Sequence, residues 1–363
     1  MPTDAETDDS QPTPRLDDTP RPAPPAVSSE LHAPPPGGPE PDAPPAEVVA
    51  LAEERAAARA ARDWPTADGL RARIEAAGWA IVDDGLAYRL ARAHPPTVDV
   101  AGRRRYGRSA DVPSRLDAAP VGLASVVLVA TRWPDDVRRA LSSLTEHAPD
   151  GTQLVIVGDD PTPEQEAALL AIDAIDPGGP GLATEVVFTA GRLGMAAALN
   201  AGIRRAAAAV VIVMDGSVEL VGDAVGPVVA ALEDPEVAVA GAWGLVSTDL
   251  RHFTEIEAGE AAAIEGYWLA FRRADYVARG PLDEGFRFYR NLDVWWSLVL
   301  RDEGEGRPPR RAVALRLPLR RHEHRGWTEL PDPERDRLSK RNFYRVIRRF
   351  GRRRDLAVGP PAP

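Results

Sequence analysis

The run Val210-Val211-Ile212-Val213-Met214 stops on Asp215, with Gly216 and Ser217 behind it. A β-branched run that ends on an aspartate reads as a buried strand delivering a carboxylate to its exposed end. In an open α/β sheet that edge is where ligands bind. The fold class expected for this chain is therefore α/β, with its chemistry at the carboxyl ends of the strands.

Two further runs repeat the pattern. Ser125 to Ala130 is followed by Thr131-Arg132-Trp133-Pro134-Asp135-Asp136, where Pro134 and the two acids mark a helix start. Leu154 to Gly158 ends on Asp159 and Asp160. Such strand-end carboxylates suit a base or ribose, while an Asp here also serves as a cap for a helix starting near Thr162. Glu185 to Phe188 predicts a third short strand, and between Gly191 and Gly202 the residues Gly194 and Ala196 to Ala198 let a helix approach a sheet and a bound diphosphate closely. Asn200 shares the face of Ala196 and Ala197.

Order and spacing of these parts resemble the donor half of family 2 glycosyltransferases with the GT-A fold, a Rossmann-like nucleotide-diphospho-sugar transferase fold. The resemblance implies Thr131 beneath the nucleotide base, Asp159 or Asp160 on the base, and Gly194 and Asn200 near the diphosphate. It makes Asp215 the centre of the donor site. Family members usually carry Asp-x-Asp to bind a divalent cation, Mn²⁺ or Mg²⁺, which bridges the two phosphates. Here the last position is Ser217, which adds a hydroxyl but no charge. Glu219 is one substitute, and the pair His322 and His324, two apart on an extended chain that continues a strand over Ala312 to Leu319, is another. Arg321 and Arg325 beside them suit phosphate oxygens.

From Gly266-Tyr267-Trp268-Leu269-Ala270-Phe271-Arg272-Arg273 through Asp283-Glu284-Gly285-Phe286 to Asn291-Leu292-Asp293, the chain resembles the acceptor half of the same family. Inverting transfer needs a carboxylate to take the proton of the acceptor hydroxyl. That role falls to Asp293, with Asp283 and Glu284 as fallbacks or loop-shaping groups. Trp268, Trp295 and Trp296 offer flat faces for sugars. The implied partners are a nucleotide-sugar donor and a glycan, lipid-linked or protein acceptor.

Composition shifts divide the 363 residues. Residues 1–45 are rich in Pro, Ala, Asp and Thr, with nine acids against Arg15 and Arg21, and predict a disordered arm. Residues 46–92 predict two helices separated at Asp63-Trp64-Pro65, a Gly78 cap and a hairpin turning at Asp83-Asp84-Gly85. This module resembles the C-terminal domain of cysteinyl-tRNA synthetases, which implies a contact with RNA as one outcome and packing as the other. Residues 93–117, with the triplet Arg103-Arg104-Arg105, predict a linker, residues 118–350 the GT-A domain, and residues 351–363 a tail.

The net charge of −11 argues against a general nucleic-acid binder. No apolar run reaches the ~20 residues of a membrane span, and with no cysteine there is no disulfide framework or thiolate metal site. The expectation is a cytoplasmic protein. Phe343, Val346, Ile347 and Phe350 interleave with Arg345, Arg348 and Arg349, a basic amphipathic helix suited to docking on its own domain or to a peripheral contact with the inner membrane face.

Overall fold

A computed structural model describes residues 44–84, 87–173 and 182–360. Almost all of the arm expected over 1–45, and the hairpin tip at Gly85 and Leu86, lie outside the described residues. Residues from Ala46 onward form one unit.

That unit opens with helices Ala46–Ala60 and Trp64–Ala76 and the antiparallel strands Trp79–Asp84 and Ala87–Arg92. Asp63 caps the second helix, accepting bonds from the backbone N–H and the hydroxyl of Thr66. Gly78 ends it at φ +81°, the left-handed conformation a side chain would resist. Val48, Ala52, Ile74, Trp79 and Ile81 form a small core of their own. Arg55 is buried beside it and makes a two-pronged bond to Asp83 at 2.8 and 3.0 Å. Pairing of this kind offsets the cost of taking the guanidinium out of water.

The remaining chain is built on a ten-stranded sheet. Its centre is the parallel set Val210–Met214, Ala124–Ala130, Thr152–Gly158 and Ala183–Thr189, in that spatial order. Because side chains alternate across a strand, Val127, Val155, Val157 and Val211 pack on one face, and Val126, Leu128, Leu154, Ile156 and Ile212 on the other. Helices Met195–Ile203 and Leu292–Arg301 cover the first face; Pro134–His147, Pro163–Asp173 and Val225–Ala231 cover the second. Each buried Val, Leu or Ile contributes about 1.5–3 kcal/mol. Gly202 sets the approach of its helix: a Cβ there would lie 2.4 Å from Cγ1 of Val127.

Beyond Val210–Met214 the sheet becomes mixed, with Trp268–Arg272, Val237–Gly241, Arg311–Ala314 and Gly259–Ala261 in that order. The strand expected over Ala312 to Leu319 is split. After Arg311–Ala314 the chain leaves the sheet, and Leu319–Arg321 pairs instead with Val218–Leu220 as a separate ribbon. Pro318 explains the break, since it has no N–H to give a ladder and its carbonyl accepts from Val221 instead.

Residues 93–117, read above as a linker, contribute strands Val98–Val100 and Arg103–Tyr106 at the far edge of the sheet. The arginine triplet hid them. Arg103 and Arg105 pair with Asp173 and Glu166 of the neighbouring helix, so their charge is matched inside the sheet, and Val98–Val100 forms its edge. The segment from residue 351 is also packed: Leu356 is buried and Val358 exchanges backbone bonds with Ser247. No helix among the described residues is long and apolar enough to cross a membrane.

Candidate active site

Asp215 leaves the central strand where its backbone N–H donates to the carbonyl of Tyr267. The turn that follows folds Ser217 back, so its N–H donates to Oδ1 of Asp215 at 2.8 Å and its hydroxyl bonds the same oxygen. On the other side, Nε2 of His324 stands 3.2 Å from Oδ2. The ribbon brings this histidine in, because the N–H of His322 donates to the carbonyl of Ser217 and ties the two segments together. Burial by itself would raise the Asp215 carboxyl; the bonds from His324 and Ser217 outweigh it and hold the group below its usual range. Burial likewise opposes the charged imidazole of His324, and its bond to Asp215 carries that group upward.

Asp293 sits in the first turn of helix Leu292–Arg301, where the helix dipole favours a negative charge. Asn291 precedes it in a left-handed conformation, φ +65°. Oδ2 of Asp293 accepts from Gly266 N–H at 3.0 Å and Oδ1 from Val294 N–H at 2.9 Å. Burial nevertheless raises its pKa above the ordinary value, only partly offset by those bonds. A carboxylate so placed is a stronger base than one in water.

Asp215 and Asp293 line one pocket, together with Tyr267, Tyr289, Arg290 and His324 and an apolar floor that includes Val129, Leu199 and Trp296. A second pocket continues outward from it, sharing Val129, Met195, Asp215, Tyr289 and His324. Thr131, Arg132, Trp133, Asp159, Gly194 and Ser217 line this outer part, with Arg192, Arg287 and Arg325 supplying positive charge. The cleft thus runs from a mouth where Arg192 and Arg287 stand among Asp136, Glu329 and Glu334 to a pair of carboxylates.

Glu265, which the sequence reading did not single out, also lines the inner pocket. Burial, reinforced by the charges of Asp293 and Glu255, pushes it up to about 7. An acid set against Gly266, directly after the buried Ala263-Ile264 pair, was the available signal.

Asp159 keeps its place on the outer pocket, whereas Asp160, Asn200, Asp283 and Glu284 line neither pocket. Asp159 is 2% exposed and accepts from the N–H groups of Leu193 and Gly194 at 2.7 and 3.0 Å, so it fixes the loop ahead of helix Met195–Ile203. Asp160 is exposed, at φ +51°, and lines neither pocket. Asn200, expected beside the diphosphate, is 1% exposed. Its Nδ2 donates to the Leu282 carbonyl and to Glu284, and its Oδ1 accepts from the Tyr276 hydroxyl and Leu282 N–H. It therefore anchors the 282–284 loop from within. Glu284 accepts in addition from the Ser109 hydroxyl, and Asp283 pairs with Arg345 at 2.7 Å, so both shape that loop.

Three tryptophans were candidates for sugar platforms, and burial corrects that expectation. Trp268 has no exposed surface and Trp295 packs between Phe286 and Phe350, while Trp296 reaches only the pocket floor. Arg321, expected on phosphate, is enclosed by Glu255 and Glu265 at 3.0 and 3.1 Å and lies over the rings of Trp243 and Tyr267. His322 turns away from Asp215 to Glu219, 2.7 Å distant, which removes both from the expected metal set. No group of three or more His, Asp or Glu side chains among the described residues is arranged to hold a cation.

Residues 125–288 match the family model Glycosyl transferase family 2. Over these residues the α/β domain is similar to family 2 glycosyltransferases. Among solved structures it is similar to GalNAc-T7 with UDP, GalNAc and Mn²⁺, at 16% identity and a TM-score of 0.49, covering 63% of this chain and 48% of that one. The mannosyltransferase PcManGT from Pyrobaculum calidifontis, in complex with GDP-Man and Mn²⁺, is similar at 17% identity and a TM-score of 0.44, covering 68% of this chain and 75% of that one. A curated relative, cysteine–tRNA ligase of Opitutus terrae, is 56% identical over 45 residues, which is 12% of this chain and 10% of the ligase. The chain thus spans about half the length of GalNAc-T7 and a tenth of the ligase.

Proposed function

We propose that the α/β domain moves a sugar from a nucleoside diphosphate sugar to an acceptor hydroxyl, with inversion and with a divalent cation at the donor. One observation carries this reading: Asp215 and Asp293, far apart in sequence, line one pocket that opens into a second one bearing Arg192 and Arg287.

The residues at Asp215 fit such a cation. Oδ2 of Asp215 and Nε2 of His324, 3.2 Å apart, are a carboxylate and an imidazole, donor types that a divalent cation takes. Asp215 and His324 would hold the ion, and it would supply neutralisation of the charge that develops on the departing diphosphate. Ser217 orients Asp215 through two bonds, a supporting role in place of a second carboxylate.

On the protein side, Arg192, Arg287 and Arg325 attract the diphosphate into the outer pocket. Thr131 and Trp133 line the part suited to the base and ribose, and Asp159 holds the Leu193-Gly194 backbone that forms its wall. The acceptor oxygen attacks the anomeric carbon from the side of Asp293 as the bond to the diphosphate breaks. Asp293 takes the hydroxyl proton, and the nucleoside diphosphate leaves through the outer pocket. Gly266 and Val294 hold the carboxylate in place without neutralising it.

The module over 46–92 contributes no residue to either pocket, which supports a packing role rather than one in the chemistry. A gel shift of the full chain with tRNA tests the alternative. For the transfer reaction the test is calorimetry with UDP- and GDP-sugars in the presence of Mn²⁺, followed by donor hydrolysis without acceptor. Binding with slow hydrolysis is the expected result; no nucleotide binding would reduce the domain to a frame without chemistry.

A further inference from the structure

Helix Asp332–Phe350 presses Asn342, Val346 and Phe350 into the domain core. At about 100° per residue, the side chains across from that face are Arg337, Lys340, Arg341, Tyr344 and Arg348, gathered within an arc of about 100°. All five are exposed, and Tyr344, at the centre of the arc, is 68% exposed. Asp336 falls outside the arc, and Arg337 meets Glu334 at a loose 3.8 Å. Among the described residues Lys340, Arg341 and Arg348 have no carboxylate within ion-pair reach.

Elsewhere on the helix Arg349 lies over the rings of Trp295 and Phe350. Arg335, Arg345 and Arg353 are each matched, to Asp332, Asp283 and Asp302. A chain with a net charge of −11 thus sets three of its unmatched cations, Lys340, Arg341 and Arg348, in one row. Like charges so placed repel, and an anionic surface relieves the repulsion.

We infer that this face of helix Asp332–Phe350 docks on an anionic lipid bilayer, with Tyr344 at the headgroup level. A straight row of cations on a convex helix meets a plane along its whole length, and an aromatic ring with a polar tip suits the interface. A strand of nucleic acid would call for cations distributed around a groove, and the row here has no opposing wall. The helix face used by the domain and the face used by the bilayer are opposite, so docking leaves Val346 and Phe350 where they are. Position gives the contact a purpose: Glu334 and Leu338, next to the row, line the outer pocket, so the bilayer would lie beside the mouth of the cleft. An acceptor carried by a membrane would then meet the enzyme at the surface.

The test uses the full chain and vesicles of phosphatidylcholine with or without phosphatidylglycerol, read by co-sedimentation, so that its outcome is independent of turnover. Each basic residue near such a surface strengthens binding roughly fivefold. Wild type should bind the anionic vesicles, leave the neutral ones, and dissociate at about 0.5 M salt. The triple variant Lys340→Glu, Arg341→Glu, Arg348→Glu should lose more than about 100-fold in affinity while keeping its unfolding temperature and nucleotide binding. Equal sedimentation of wild type and triple variant, equal binding to both vesicle types, or no binding at low salt would each overturn the inference. So would an RNA gel shift that the triple variant abolishes in the absence of vesicle binding.

Discussion

Nε2 of His324 lies 3.2 Å from Oδ2 of Asp215, joining the end of the central strand to a segment that follows the ribbon strand Leu319–Arg321. Without the imidazole, Asp215 would keep its bonds from Ser217 and lose its nitrogen neighbour. We predict that His324→Ala lowers apparent Mn²⁺ affinity by about 10- to 100-fold while UDP or GDP binding without metal changes little. Calorimetry with and without the ion measures both. An unchanged Mn²⁺ titration would remove His324 from the donor site.

Asp293→Asn keeps an acceptor for only one of the N–H groups of Gly266 and Val294, and it removes the base. Turnover should fall about 10²- to 10⁴-fold with donor affinity intact. Steady-state kinetics beside a binding isotherm separate the two effects.

Glu265 ties the inner pocket to pH. Its pKa stands at about 7, against an ordinary 4.5. Between those values the folded chain holds a proton that the unfolded chain has released, so this group makes stability fall as pH rises through about 4.5 to about 7. Glu265→Gln should flatten that slope, visible in urea unfolding at the two ends of the window. A variant with the wild-type slope would show that the carboxyl is ionised throughout.

Asn200→Ala distinguishes a strut from a donor contact. It strands the Tyr276 hydroxyl and the Leu282 N–H and carbonyl in the core, which costs about 1–3 kcal/mol. Unfolding should register the loss while donor affinity of the folded protein is kept. Weaker donor binding with full stability would restore the role read from sequence.

Gly202→Ala drives a methyl against Val127 and Val157. Overpacking of this kind costs about 1–3 kcal/mol. Chemical denaturation would reveal it, and a neutral result would mean that the helix can lift from the sheet at no expense.

The sheet centre was legible because its strands are short apolar runs that end on carboxylates, so Asp215 and Asp159 were assigned to strand ends directly. Asp293 was legible through a patterned stretch of almost thirty residues. What escaped was anything decided by partners remote in sequence. Nothing in the string shows that Asn200 faces Tyr276 and Leu282, that Arg321 is closed in by Glu255 and Glu265, or that His322 turns to Glu219. The strand at Arg103–Tyr106 was hidden for the same reason, since its charges are answered by a helix some sixty residues on. Tryptophan misled most plainly: Trp268 and Trp295 have rings suited to sugars, and only packing reveals that both are spent in the core.

The ribbon of Val218–Leu220 and Leu319–Arg321 pairs three rungs, flanked by the bonds of His322 to Ser217 and of Val221 to Pro318. Neighbouring residues of an extended chain point to opposite sides, so a slip of one rung would turn His324 away from Asp215. We predict that this short ribbon opens while the ten-stranded sheet stays intact, freeing His324 from Asp215 without loosening the frame. Fast amide exchange at Val218 and Arg321 against slow exchange at Val211 is the expected result, and equal exchange at all three would refute it.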